Sequence, residues 1–372
     1  MSGMILTAAG AAIWLVILLL PWRPWSIRET LDATLGEPAP DLSDLTVLIP
    51  ARNEASVIGE VLAALDAQGS NLRIVLIDDQ SDDGTATVAR DGSPEGLEIV
   101  DGEPLPEGWS GKLWALEQGR KHANTTLLLL LDADIRLEPG TITALLRRRD
   151  ESGAAFVSLM ARLRMVSGWE LLLMPAFVYF FKLLYPFALS NAASGSIAAG
   201  AGGCILVEAQ ALEDIGGFGA LQGALIDDCA LARAIKHEGQ RTWIGLTHSA
   251  VSLRPYRVLG EIWDMVARNA FTQLRYSPIL LFLVTAVFVL ACAMPLLALV
   301  AFPGVGAKLL GGLALAAMIA SYIPTLRYYG LSPLLALSMP AIGTLYLAMT
   351  WSSAFRYWRG RRSQWKGRVY HR

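Results

Sequence analysis

The sequence predicts an α/β domain built on a mostly parallel sheet and set between transmembrane helices. Three observations carry this. From residue 41 to residue 278, short apolar runs alternate with stretches of helical period, the pattern of βα units. Polar and acidic clusters follow those runs directly, as expected of a doubly wound sheet whose ligands bind beyond the strand ends. Long charge-free runs lie outside that region on both sides. Composition agrees: of 372 residues, 53% are hydrophobic and 17% charged, and mean hydropathy is +0.43. That is too apolar for an ordinary soluble enzyme.

Taken in order, residues 1–22 carry no charged side chain, and "MILTAAGAAIWLVILLL" approaches spanning length. Arg23 and Arg28 follow, no Lys or Arg precedes, and no small-residue cleavage site is evident. An uncleaved anchor is expected, with the chain beyond it cytoplasmic. "LTVLIP" (45–50) reads as a strand and 54–68 as a helix, with apolar positions 57, 58, 61, 62 and 65. "LRIVLID" (72–78) is a second strand, "DGTATVAR" (83–90) opens a helix, and "LEIV" (97–100) is a third strand. "GKLWALEQGRKHA" (111–123) is a helix; "TTLLLLLD" (125–132) and "AAFVSLMARL" (154–163) are strands.

Residues 169–190 are apolar apart from Glu170 and Lys182, and Pro175 and Pro186 are expected to interrupt the helix there. This segment reads as an interfacial helix, with an internal packing helix as the alternative. Residues 223–239 form a helix that starts at the pair Asp227 and Asp228. Apolar runs at 279–302, 309–326 and 331–355 make two or three spans of a C-terminal membrane region, 279–355. The tail, 356–372, holds seven Arg or Lys and no acid, and suits anionic lipid headgroups. Three spans would put this tail outside, against the charge bias. Two spans and a re-entrant segment keep it inside, the preferred arrangement.

The net charge of −2 gives no reason to expect a nucleic-acid partner. Cys204, Cys229 and Cys292 lack CxxC spacing and the four histidines are scattered, so neither a disulfide framework nor a zinc cluster is indicated. No GxGxxG or GxxxxGK[ST] follows the first strand, which argues against nicotinamide and P-loop enzymes. Instead three strand ends supply "PARNE" (50–54), "DDQSDDGT" (78–85) and "DAD" (132–134). Paired carboxylates at Asp132 and Asp134 suit Mg²⁺ or Mn²⁺ held together with substrate phosphates. Solvent-facing turn acids are the alternative. Asp227 and Asp228 sit where a helix dipole favours negative charge, and Asp227 could simply cap that helix.

This ordered set resembles the family 2 glycosyltransferases, whose fold is called GT-A, over residues 44–280. With the flanking membrane segments, "GKLWALEQG" and "LRYSP" resemble the hopanoid-biosynthesis-associated (hopene-associated) branch. The resemblance implies a metal-dependent inverting transferase with a GT-A nucleotide-sugar-binding domain. It would take a nucleotide-diphosphate sugar, with a UDP-sugar expected, and a membrane lipid acceptor, hopanoid or polyprenyl phosphate. Asp79 would bind the uracil ring, with Asp78 beside it. Pro50, Arg52 and Glu54 would line the donor rim. Asp132 would lie near the ribose and metal, and Asp134 would meet the metal and diphosphate. Asp228 would be the base, oriented by Asp227; the family's usual pair is Glu-Asp, and here it is Asp-Asp.

Other candidate residues carry open alternatives. Lys112 neutralises diphosphate or is a solvated first-turn lysine. Trp109 packs against an apolar ligand, and Gly202 and Gly203 permit close acceptor approach or merely loosen a loop. "FTQLRYS" (271–277) is similar to a QxxRW-like element, with Arg275 for the diphosphate and Tyr276 for the acceptor. Thr272 stands at its glutamine position, with Gln273 shifted by one, a departure that weakens a processive-synthase reading. An interfacial Arg-Tyr pair is the alternative. The expected location is the inner (cytoplasmic) membrane, multi-pass, with the catalytic domain cytoplasmic. A polyprenyl-phosphate sugar synthase and a nonenzymatic membrane assembly protein are the competing functions.

Overall fold

The structure, a computed structural model, describes residues 2–33, 36, 40–92, 94–224, 226–360, 364–365 and 368–369. In chain order the first elements are α1 (Ser2–Leu19), β1 (Leu45–Ala51), α2 (Ile58–Asp66), β2 (Arg73–Asp78), α3 (Thr85–Asp91) and β3 (Leu97–Asp101). Next come α4 (Gly111–Arg120), β4 (Leu127–Leu131), β5 (Ile135–Leu137), α5 (Thr141–Ser152), β6 (Ala154–Arg162), α6 (Gly168–Leu184) and α7 (Phe187–Ser190). Then follow β7 (Cys204–Glu208), α8 (Ala209–Asp214), α9 (Asp227–His237), β8 (Arg241–Ser252) and α10 (Leu259–Gln273). The last helices are α11 (Pro278–Phe288), α12 (Met294–Val300), α13 (Val305–Tyr328) and α14 (Met339–Trp358).

The chain divides into two compact units. The sheet unit comprises the described residues of Glu29–Arg164 and Leu189–Pro255. Its eight strands run β3-β2-β1-β4-β7-β6-β8-β5. Pairs β1–β2, β1–β4, β2–β3 and β6–β8 are parallel; β4–β7, β6–β7 and β5–β8 are antiparallel. The leucine run of β4 is buried at every position, which strand alternation explains. Leu127, Leu129 and Leu131 join Val47, Ile49 and the α2 and α5 side chains in one core. Leu128 and Leu130 join Leu48 and the α4 and α9 side chains in another. A strand covered on both faces needs no polar alternation. Pro50 is tolerated in a central strand because β4 pairs with β1 only as far as Leu48.

Sequence periodicity placed the first helix too early. Residues 54–57 form a turn, with the Val57 and Ile58 amides both donating to the Glu54 carbonyl, and α2 starts at Ile58. β5 and the 12-residue β8 are additions that no clean alternation announces.

The helical unit comprises the described residues of Met1–Arg28, Met165–Ala188 and Tyr256–Ser363. Three of its helical stretches, Pro278–Val300, Val305–Tyr328 and Pro333–Trp358, are long and apolar enough to cross a membrane; α1 is a shorter apolar helix. By length and composition the chain is a multi-pass membrane protein. The first stretch contains a π-helical turn at Val289–Ala293 just before Pro295. Proline cannot donate to the carbonyl four residues back, that of Ala291. The Trp14 indole N–H of α1 donates to that carbonyl at 2.7 Å. α6 runs unbroken through Pro175, contrary to the expected interruption, and the helix stops before Pro186, whose preceding residue Tyr185 is non-helical. Ser167 and Glu170 close a capping box at its start. α6 packs through Tyr179, whose hydroxyl meets Ser321 at 2.7 Å, and through the Leu173 carbonyl, which accepts from Tyr346. Of the basic tail, residues 361–372 lie outside the described residues apart from 364–365 and 368–369.

Candidate active site

Strand register builds the centre of the sheet unit. Leu131 of β4 pairs with Cys204 of β7, so the next residue, Asp132, lies beside Gly203 and donates its amide to the Gly203 carbonyl at 3.1 Å. Ser110 caps α4 by accepting from the Leu113 amide. Lys112, in the first turn, reaches Asp132 at 2.6 Å and approaches Asp227 at 3.9 Å. Its ammonium also donates to the Gly202 carbonyl at 3.3 Å. Asp228, in the first turn of α9, accepts from the Gly202 amide at 2.8 Å and from the Cys229 amide at 2.7 Å. Lys112 therefore ties the β4 acid to the α9 acids, with Gly202 as the hub. A Cβ on Gly202 would stand 3.0 Å from the Lys112 ammonium and 3.4 Å from an Asp228 oxygen, so glycine keeps the three groups together.

A second cluster lies at the other side of the "DAD" turn. Asp134 accepts from Arg254 Nε at 3.1 Å, and Arg254 Nη2 donates to Glu54 at 3.0 Å. Sequence reasoning missed Arg254. Its signal was weak, since "LRPYR" follows a strand that was itself not recognised.

Beyond the ends of β1 and β2, Arg52 donates to the carbonyls of Asp79 and Gln80, fastening the turn after β2 to that after β1. The Asp79 side chain is fully buried and its amide donates to the Ala51 carbonyl at 2.8 Å. Asp78 accepts from the Ser81 amide. Pro50 is a buried strand residue whose contribution is shape. Trp109 is half-buried, edge-on to Trp114 at 5.2 Å, and packs on the α4-side core. Gly203 is close-packed, its would-be Cβ standing 3.2 Å from Ile135.

Arg275 and Tyr276 belong to the helical unit, in a left-handed turn (φ 51° and 56°) between α10 and α11. Tyr276 stacks on Tyr357 at 4.4 Å, and its hydroxyl accepts from Thr272 at 3.2 Å.

Electrostatics sort the central groups. Burial alone would lower the Lys112 ammonium; Asp132, Asp227 and Asp228 more than reverse this and keep it charged. Burial, then the Asp227 charge, pushes the Asp228 carboxyl up to about 7, against the opposing pull of Lys112 and two backbone amides. Burial pushes the Cys204 thiol up to about 12, which suits an inert core residue.

Asp132 and Asp134 offer hard oxygen donors one residue apart. Glu54 and Asp134 pair with Arg254, and Asp132 and Asp227 with Lys112. Hard carboxylate oxygens of this kind suit a divalent cation. No set of three His, Cys, Asp or Glu side chains among the described residues is arranged to hold one. The fit is therefore two carboxylates completed by substrate phosphates.

Residues 46–216 match the family profile described as glycosyl transferase family 2. This stretch is similar to the family 2 glycosyl transferases. It contains Asp79, Lys112, Asp132, Asp134, Gly202 and Gly203, and the match stops before Asp227, Asp228 and Arg254. The chain is similar to 4,4'-diaponeurosporenoate glycosyltransferase of Staphylococcus aureus strain MRSA252, 35% identical over 110 residues, 29% of each protein. The strain USA300 protein of the same name is 38% identical over 91 residues, 24% of each. These matches span less than a third of the relatives' length. The solved mannosyltransferase PcManGT of Pyrobaculum calidifontis, in complex with GDP-Man and Mn²⁺, has a TM-score of 0.55 at 22% identity. That alignment covers 96% of this chain and 100% of the other, and shows likeness of fold.

Proposed function

We propose that the chain is an inverting glycosyltransferase that moves a sugar from a nucleotide-diphosphate donor onto the hydroxyl of a membrane lipid. The carrying observation is Lys112, which at 2.6 Å from Asp132 and 3.9 Å from Asp227 brings the family 2 acids and the α9 acids into one cluster. The solved relative's GDP-Man and Mn²⁺ support a nucleotide-diphosphate sugar and a divalent ion; a UDP-sugar is the form the sequence resemblance implies. The curated relatives and the membrane helices support an apolar acceptor, a hopanoid being the form the sequence resemblance implies.

In this reading the acceptor oxygen bonds to the anomeric carbon as the bond to diphosphate breaks, and the hydroxyl proton passes to Asp228. Two backbone amides fix the Asp228 carboxylate in place, and its elevated pKa gives it the basicity to accept that proton near neutral pH. Lys112 holds Asp132 and Asp227 in position and offsets their charge. Mg²⁺ or Mn²⁺ held by Asp132 and Asp134 would supply Lewis-acid stabilisation to the departing diphosphate.

A panel of nucleotide sugars with extracted lipids, read by mass analysis, tests this. Asp228→Asn should lower transfer by about 10²- to 10⁴-fold. Undiminished transfer in both Asp228→Asn and Asp134→Asn would contradict the site assignment. A polyprenyl-phosphate acceptor, ionised already at neutral pH, would need no base. Asp228→Asn spared with that acceptor alone would mark the second reading.

A further inference from the structure

β5 and β8 are antiparallel, with Ile135 opposite Ser252. The pairing ends by joining the Leu253 amide to the Asp134 carbonyl at 2.8 Å. One residue further on, Arg254 is therefore delivered to the Asp134 carboxylate. Its guanidinium spans two acids from different strand ends, Asp134 at 3.1 Å and Glu54 at 3.0 Å. The acid side chains are only 13% and 11% exposed, whereas that of Arg254 is 34% exposed. Buried carboxylates require a counter-charge. Of the three side chains, that of the arginine is the most exposed. Asp134 is held by its backbone bond to Leu253 and by Ser252 Oγ, which donates at 3.5 Å.

We propose that Arg254 is a resident counter-cation that competes with the divalent ion for Asp134. Before the ion binds, its guanidinium neutralises Asp134 and Glu54 together. When the ion binds, Arg254 gives up Asp134 and keeps Glu54. A divalent ion carries twice the charge of a guanidinium, so it displaces Arg254 from Asp134 once its concentration offsets the cost of shedding its water. This positioning residue would keep the acid cluster folded in the metal-free protein and set the ion concentration at which the site loads. The inference rests on the divalent-ion reading of Asp132 and Asp134.

The test is Mn²⁺ binding to the solubilised full-length protein, with free Mn²⁺ counted by electron paramagnetic resonance. Arg254→Met removes the competitor, and the charge-balanced Arg254→Met/Glu54→Gln protein does so without stranding a second carboxylate. Both should bind Mn²⁺ about tenfold more tightly than wild type. If the single variant does not fold, the double variant decides. Equal or weaker Mn²⁺ affinity in the folded double variant overturns the proposal, because an arginine that merely orients Asp134 would lose affinity when removed. Asp134→Asn should abolish the binding. Wild-type Mn²⁺ binding that does not depend on Asp134 would instead overturn the metal reading itself, and the inference with it.

Discussion

In the proposed reaction, burial and a neighbouring acid prepare the Asp228 carboxyl for proton transfer. The transfer rate as kcat/KM should rise with pH and level off above about 7, as the carboxyl ionises. The stability sign is opposite. A carboxyl raised above its ordinary range stabilises the fold fully below its unfolded value, and the contribution is lost as pH rises through about 7. Burial acts first and Asp227 second, so Asp227→Asn should move the acid limb of the pH profile to lower pH. A limb that stays in place would detach Asp227 from the base. Gly202→Ala tests the hub: its Cβ, 3.0 Å from the Lys112 ammonium, must push that flexible side chain aside. Transfer should fall by about tenfold with little change in unfolding temperature, since displacing a charged group by a few tenths of an ångström costs rate more than fold. The acids were legible as strand-end clusters. Arg254 was not, because a single arginine beyond an unrecognised strand carries no spacing signal.

Most sheet elements could be read from apolar runs, and their errors have local causes. Glu54–Val57 has helical composition but its amides close a turn, and β8 mixes Arg241, Thr242, Gly245 and His248 into a run without regular alternation. In the helical unit, Pro175 misled, since it leaves α6 intact. Pro295 follows a π-helical turn, and the indole of Trp14 satisfies the carbonyl it strands. Gly10 allows that approach, since a Cβ there would fall 2.2 Å from the Leu290 carbonyl oxygen. Gly10→Val should therefore cost about 1–3 kcal/mol by overpacking, read as a lower unfolding temperature in detergent. An unchanged unfolding temperature would mean that α1 does not pack there.

At the scale of the whole molecule, apolar length announces the membrane helices, and the exposed Ile279, Phe282, Val300 and Leu309 on them are the surface a bilayer would cover. The sequence does not fix the acceptor, because a lipid is recognised by shape and apolarity, which no short motif encodes. The proposed reaction is a single displacement with one base. The most direct measurement is the anomeric configuration of the sugar in the purified glycolipid product, read by NMR against that of the donor. Inversion, yielding a β-linked lipid from an α-linked nucleotide sugar, is the predicted result. A product that retains the donor's configuration would contradict the account.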